Sequence, residues 1–165
     1  EASGWKPGKP MVFLDSPADE QDPMFSPEGH WIAYTSSESG RNEIFVRPFP
    51  GPGGKWHIST AAGVEPTWSR TRRELFYRTQ PLGGVGAVMV ASYTVEGDSF
   101  KADKPRLWSE KPILVRATRR NFDLHPDGER LAVAVATTEA EDKREKVVLI
   151  QNFFEELRRI APVKQ

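Results

Sequence analysis

A strand-turn-strand unit of ten residues occurs three times in this chain, and it restricts the possible folds more than any other feature. The copies align without gaps at 25–34, 68–77 and 124–133. Each begins with an apolar residue, continues through a polar turn and ends in a short apolar run. Their first residues are 43 and then 56 positions apart, whereas one four-stranded propeller blade takes about 40 to 45 residues. The pattern therefore predicts repeated blades, with an insertion in the second.

Each repeat also contains further strand patterns beyond this unit. In the first repeat Ile44, Val46, Trp56 and Ile58 alternate with polar neighbours, as side chains do on a two-faced strand. The predicted strands of the first repeat are 24–26, 30–36, 43–47 and 55–60. Those of the second are 67–69, 74–78, 87–94 and 106–109. Those of the third are 121–124, 130–137 and 146–151, with no fourth strand.

The two ends of the chain differ from the repeats. Residues 10–15 precede the first repeat as residues 57–60 precede the second, so they read as an isolated outer strand. Residues 152–161 predict a short helix, with Asn152 as N-cap and Pro162 as terminator. Counting the isolated strand gives twelve strands, which is three complete blades. The predicted fold is all-β, with blades at about 16–60, 61–110 and 111–151.

Two sets of residues carry a resemblance to known families. Residues 25–29 followed by 32–34 resemble the WD40-like repeat of TolB-type β-propellers, and residues 125–128 match nearly as well. Residues 41–50, 68–69 and 75–77, with the tail 152–157, are similar to the propeller behind the kinase domain of certain bacterial eukaryotic-like serine/threonine protein kinases. The glycine-rich loop and the His-Arg-Asp and Asp-Phe-Gly motifs of the kinase itself are absent from this sequence.

The resemblance implies a six-bladed propeller that makes protein contacts or acts as a sensor, in a periplasmic or extracytoplasmic location. It implies no catalytic residues. Three blades are half of six and cannot close a ring, so we expect a homodimer that forms one propeller. Residues 10–15 of one chain would then complete the third blade of the other, beside residues 147–150.

Composition excludes several classes of partner. Lys plus Arg and Asp plus Glu number 23 each, so no net field draws the protein to nucleic acid. The chain has no cysteine and therefore no disulfide or thiolate chemistry. No apolar run approaches the length of about 18 residues needed to cross a bilayer, so no membrane insertion by this chain is predicted.

The sequence contains no recognisable catalytic or metal-binding pattern. The three histidines, His30, His57 and His125, lack the spacing of metal ligands, and no Gly-x-Ser-x-Gly motif occurs. We therefore predict no catalytic residue, no cofactor and no metal, and a non-catalytic interaction scaffold. Two alternatives remain open: a hydrolase or lyase with its site in the axial channel, and a structural fragment of a larger propeller without activity of its own.

Two arginine clusters are the candidate contact sites for a protein or peptide partner. Arg suits carboxylates because its planar guanidinium forms paired hydrogen bonds. By strand order the first cluster belongs to a turn in the second blade, and the second belongs to the connection into the third blade, near the channel mouth on the opposite face. The clusters consist of Arg70, Arg72 and Arg73, and of Arg116, Arg119 and Arg120.

Overall fold

The computed structural model describes residues 8–80, 85–114, 120 and 122–133. Over these ranges the chain forms strands, turns and loops but no helix, which confirms the predicted all-β class; none of these residues therefore belongs to a helix that could cross a membrane. The strands are β1 (Glu20–Phe25), β2 (Trp31–Ser36), β3 (Glu43–Pro48), β4 (Trp56–His57), β5 (Gly63–Trp68), β6 (Glu74–Thr79), β7 (Val85–Glu96), β8 (Ser99–Ala102), β9 (Arg106–Leu114), β10 (Phe122–Leu124) and β11 (Leu131–Val133).

The first blade is a four-stranded antiparallel sheet in which sequence neighbours are also spatial neighbours, in the order β1-β2-β3-β4. The turn from β1 to β2 contains Pro27 and Glu28 and places Gly29 at a φ of 76°, a conformation that favours glycine. Every residue of β2 is buried, because this strand lies inside the sheet and both of its faces are covered.

The second blade repeats this order with one addition. Strands β5, β6 and β7 pair in sequence, and β9 then pairs with β7 as the fourth strand. The far half of β7 continues past the blade and folds back on β8 through a turn at Gly97. This hairpin accounts for the longer second interval in the sequence. The alternation pattern had predicted an insertion there but not β8 itself.

The repeat extends to backbone detail. Strands β5 and β6 begin 43 residues after β1 and β2, respectively. Each inner strand carries an irregularity at the same place, where Asp22 and Glu65, also 43 residues apart, have positive φ angles of 52° and 59°. Positive φ is uncommon for residues other than glycine, so its recurrence shows that the two blades share one local geometry.

The blades stack face to face through aromatic and aliphatic side chains. Trp68 is buried, contacts Tyr93 edge-on at 5.1 Å, and donates its indole N–H to the carbonyl of Met24 in the first blade at 3.0 Å. Phe100 of β8 also packs into this interface. On the opposite side of the second blade, Trp108 lies edge-on to Phe76 at 5.8 Å. The first interface contains Trp31, Ala33, Ile44, Val46 and Ile58 against Trp68, Leu75, Tyr77, Ala91, Tyr93 and Phe100.

The third blade is described only at its start, where β10 and β11 form an antiparallel pair. Phe122 and Leu124 of β10 pack against the second blade, as the stacking of successive blades requires. The predicted strand at 146–151 and helix at 152–161 lie outside the described residues. Residues 10–15 form no strand within this single chain, and their predicted pairing with a second copy stays a prediction, as do the blade boundaries.

Candidate interaction surfaces

The first blade has one face directed away from the second blade, which we call the leading face. It is formed by Ile32, Tyr34 and Phe45, which pack with Phe13, Leu14 and Phe49. Burial raises the pKa of Tyr34 to about 12. The N-terminal segment thus covers part of the face on which a preceding blade would stack in a closed ring.

The exposure of two equivalent residues shows how the leading face differs from the interior of the stack of blades. Phe25 and Trp68 begin the first two copies of the repeat. Trp68 is 5% exposed beneath the first blade, whereas Phe25 is 54% exposed and meets the edge of the leading face at Phe49, with ring centroids 4.8 Å apart. The residues that precede this face are also exposed: Met11 is 63% and Val12 is 78% exposed. The first blade therefore exposes apolar surface at its leading end. The equivalent surface of the second blade is buried beneath the first blade.

Two charged side chains at the leading face have buried atoms without a hydrogen-bond partner among the residues that the structure describes. They are Nε of Arg47 and Oε2 of Glu20. The other carboxylate oxygen of Glu20 accepts hydrogen bonds from Ser16 at 2.8 Å and Ser36 at 3.2 Å. A buried polar atom without a partner is destabilising by about 1 to 3 kcal/mol. A neighbouring molecule at this face could complete both hydrogen bonds, by supplying an acceptor for the N–H of Arg47 and a donor for the carboxylate of Glu20.

The loop cleft, of about 510 Å³, lies at the end of the first blade where β2 connects to β3. Glu43 is at its centre, 2.7 Å from Arg41 and 3.2 Å from Nε2 of His57. Burial raises the pKa of Glu43, but hydrogen bonds from Ser39 and Arg41 and the charge of His57 outweigh it and hold the pKa below its ordinary value. Glu43 is therefore an ionised, well-paired carboxylate at neutral pH.

The loop cleft does not have the geometry of a serine hydrolase. Ser59 Oγ lies 3.5 Å from His57 Nε2, which is the same ring nitrogen that faces Glu43. In a catalytic triad the serine and the carboxylate use different ring nitrogens, so that one holds the ring while the other takes the proton. Ser59 is also buried, and its hydroxyl accepts the main-chain N–H of Ile44 at 3.0 Å. This arrangement stabilises the sheet and exposes no nucleophile.

A buried ion pair joins the first two strands of the second blade. Glu65 accepts two hydrogen bonds from Arg78, at 2.7 and 3.2 Å, and both side chains are almost fully buried. In the sequence, Arg78 lies only five positions after Arg73 of the first arginine cluster. The structure separates it from that cluster, because its guanidinium is inside the blade. Its partner Glu65 corresponds in the repeat to Asp22, which accepts a hydrogen bond from Thr35.

The first arginine cluster lines a second cleft, which we call the turn cleft. It has a volume of about 390 Å³ and lies between the β1–β2 turn and the β5–β6 turn. Arg72 is paired with Glu129 of the third blade at 2.5 Å. The side chains of Arg70 and Arg73 form no hydrogen bond or ion pair with any residue that the structure describes. The lining consists of Pro27, Glu28, His30, Trp31, Ser69, Arg70, Thr71, Arg72, Arg73, Tyr93 and Val95.

The second arginine cluster is described only at Arg120, because Arg116 and Arg119 lie outside the described residues. Arg120 donates to the carbonyl of Pro66 at 3.0 Å and to the hydroxyl of Thr67, both in β5. Its guanidinium also lies 5.6 Å from the ring of Phe122. Arg120 thus connects the second and third blades, a structural role that the sequence did not suggest.

Sequence reasoning missed the two polar pairs of the scaffold, Glu43 with His57 and Glu65 with Arg78. The partners are 14 and 13 residues apart, and they meet only through strand pairing. The repeat carried a usable signal for the second pair, because Glu65 and Asp22 occupy the same repeat position. Within the part of the chain that is described, no three His, Asp or Glu side chains cluster in a way that could hold a metal ion.

Comparison with known proteins adds little to this geometry. No family model matches the chain, and no curated protein matches it. Among solved structures, it is similar to one assigned as TolB from Agrobacterium tumefaciens, at 16% identity and a TM-score of 0.43. The match covers 58% of this chain and 36% of that chain, so this chain spans about a third of it. The propeller assignment rests on the strand order and the blade stacking described above.

Proposed function

We propose that this chain is a non-catalytic protein-interaction or sensing module, and that two copies close one six-bladed propeller. In this assembly the third blade of one copy stacks on the leading face of the other, and the twofold symmetry leaves no open end. Partners bind at the turns and loops, because these can vary while the strands hold the scaffold.

The observation that carries the proposal is the contrast between Phe25 and Trp68. Equivalent aromatic side chains in adjacent blades differ from 54% to 5% exposed, and the buried one is covered by the blade before it. A preceding blade at the leading face would bury Phe25 in the same way. A second copy is the preferred occupant, since the chain repeats the same blade and the sequence predicts no outer strand for its third blade.

The N-terminal segment supports the same assembly. Phe13 and Leu14 already pack on the leading face, whereas Met11 and Val12 point apolar surface at solvent. As an outer strand of the partner's third blade, residues 10–15 would place these exposed side chains against that blade. They would also cover the unpaired strand edge that a three-stranded blade leaves open.

Sedimentation velocity at micromolar concentration tests the assembly. We expect a compact particle of twice the 18.6 kDa chain mass. Deleting residues 1–15 should weaken the dimer, whereas deleting residues 1–8 should leave it intact and serves as the matched control. A well-behaved monomer of the full chain would overturn the proposed assembly. Equal dimerisation of the two truncated chains would exclude the strand exchange.

A further inference from the structure

We propose that the turn cleft binds an acidic segment of a partner protein, with Arg70 and Arg73 as the groups that hold its carboxylates. This inference rests on the proposed function and specifies the chemistry of one contact site. The turn cleft is formed by the first and second blades of one chain, so binding there does not require the dimer.

The turn that carries these arginines departs from the other two copies of the repeat. In the first and third blades the turn contains Pro, an acidic residue and Gly, with Gly29 and Gly128 at φ of 76° and 74°. The second blade has Arg70-Thr71-Arg72 at the same place. Its turn is stabilised instead by Ser69, whose hydroxyl accepts the main-chain N–H groups of Thr71 and Arg72 at 3.4 and 3.1 Å. The arginine side chains are therefore not needed to shape the turn.

The charges of the turn cleft are unevenly paired. Arg72 is neutralised by Glu129, and Thr71 donates to the carbonyl of Asp127 at 3.0 Å, so this side of the turn is attached to the third blade. Arg70 and Arg73 are exposed, and their guanidinium groups have no hydrogen-bonded partner among the described residues. Both residues line the cleft, and each guanidinium offers paired N–H donors to a carboxylate.

The inner wall of the cleft adds an apolar surface. Trp31, Tyr93 and Val95 line it, and the Tyr93 ring is buried against Phe100 at 5.0 Å. Burial, with a smaller contribution from the charge of Glu28 and against the charge of Arg73, raises the pKa of the Tyr93 hydroxyl to about 12. Both charged residues thus lie close to this ring. Trp31 and Tyr93 are themselves buried, so the partly exposed side chain of Val95 is the apolar surface of this wall that a bound peptide can contact.

A protein segment fits the cleft better than a nucleic acid or an anionic membrane. The carboxylate of Glu28 lines the cleft on the first blade, and that of Glu129, which pairs with Arg72, lies beside it on the third. A continuous polyanion would bring phosphates against these carboxylates, and close like charges oppose binding. A peptide can place its carboxylates only at Arg70 and Arg73. The zero net charge of the chain also provides no long-range attraction for a polyanion.

Fluorescence anisotropy with a labelled Glu-Glu-Leu-Glu-Glu peptide tests the proposal, with Gln-Gln-Leu-Gln-Gln as the control peptide. The acidic peptide should bind at ~50 mM salt and more weakly at ~500 mM, because exposed charges are screened. R70E/R73E should weaken binding about tenfold or more. K101E/K104E makes the same change in charge in the same blade, at exposed lysines outside the cleft lining, and should leave affinity within about twofold.

Three results would overturn the proposal. They are no binding of the acidic peptide to the wild-type chain, equal losses in the two double variants, and equal or tighter binding of a single-stranded oligonucleotide or of phosphatidylserine vesicles. Sedimentation of the same samples separates this inference from the proposed assembly. A dimer that ignores the peptide rejects the cleft alone, whereas a monomer that binds it rejects the assembly alone.

Discussion

Glu43 shows how one side chain can be both buried and charged. Its carboxylate is nearly inaccessible to solvent, yet Arg41 and His57 contact it and Ser39 donates to it. Since the folded pKa is lowered, the stabilisation that ionised Glu43 provides is complete above the ordinary glutamate pKa of about 4.3. It is lost as the pH falls through the lower folded pKa.

Glu43→Gln should therefore destabilise the chain at pH 7 by about 1 to 3 kcal/mol, because charge-assisted hydrogen bonds are replaced by weaker neutral ones. The difference between wild type and variant should shrink towards zero below the folded pKa, where Glu43 is itself neutral. Urea unfolding at a series of pH values measures this difference. A penalty that stays constant down to pH 2 would mean that packing, and not charge, explains the loss.

At the scale of elements, the interface between the first two blades depends on aromatic side chains from three different strands of the second blade and its inserted hairpin. Trp68 ends β5, Tyr93 lies on the extended part of β7, and Phe100 lies on the inserted strand β8. Tyr93 and Phe100 stack at 5.0 Å, and Phe100 also contacts Trp31 of the first blade at 5.2 Å. The inserted hairpin therefore belongs to the core and is more than a surface extension.

Trp68→Ala should destabilise the chain by about 3 to 5 kcal/mol, since it opens a cavity between two blades. Trp68→Phe keeps most of the ring volume but loses the hydrogen bond to Met24, so it should lose less, about 1 to 2 kcal/mol. Chemical denaturation of the three proteins gives both values. A loss below about 1 kcal/mol for the alanine variant would show that this interface contributes little to stability.

At the scale of the whole molecule, stability depends on what covers the apolar leading face. If a second copy covers it, folding and assembly are linked, and the melting temperature must rise with protein concentration. We expect a clear upward shift between ~1 and ~100 µM. Differential scanning fluorimetry over this range provides the measurement. Superimposable melting curves at all concentrations would be incompatible with the proposed dimer.

Much of the scaffold could be predicted from the sequence because it depends on local patterns. Alternation of apolar residues specifies strands. The sequence Pro-Glu-Gly specifies the turn before β2, because Gly29 readily adopts the positive φ that this turn needs. The repeat of the 25–34 unit then predicts blades, because identical units stack on one another. Trp68 is buried, as expected, but it ends its strand instead of starting it, because β5 begins at Gly63, four residues before the predicted start at 67.

The tertiary structure alone decided which charged side chains form ion pairs within the scaffold and which remain available at its surface. Arg78 and Arg72 look alike in the sequence, but one is paired with Glu65 inside the blade and the other with Glu129 across two blades. Among the residues that the structure describes, the guanidinium groups of Arg70 and Arg73 have no hydrogen-bond or ion-pair partner. Pairing of this kind depends on strand register and on blade stacking between residues as much as 57 positions apart, and no local pattern contains that information.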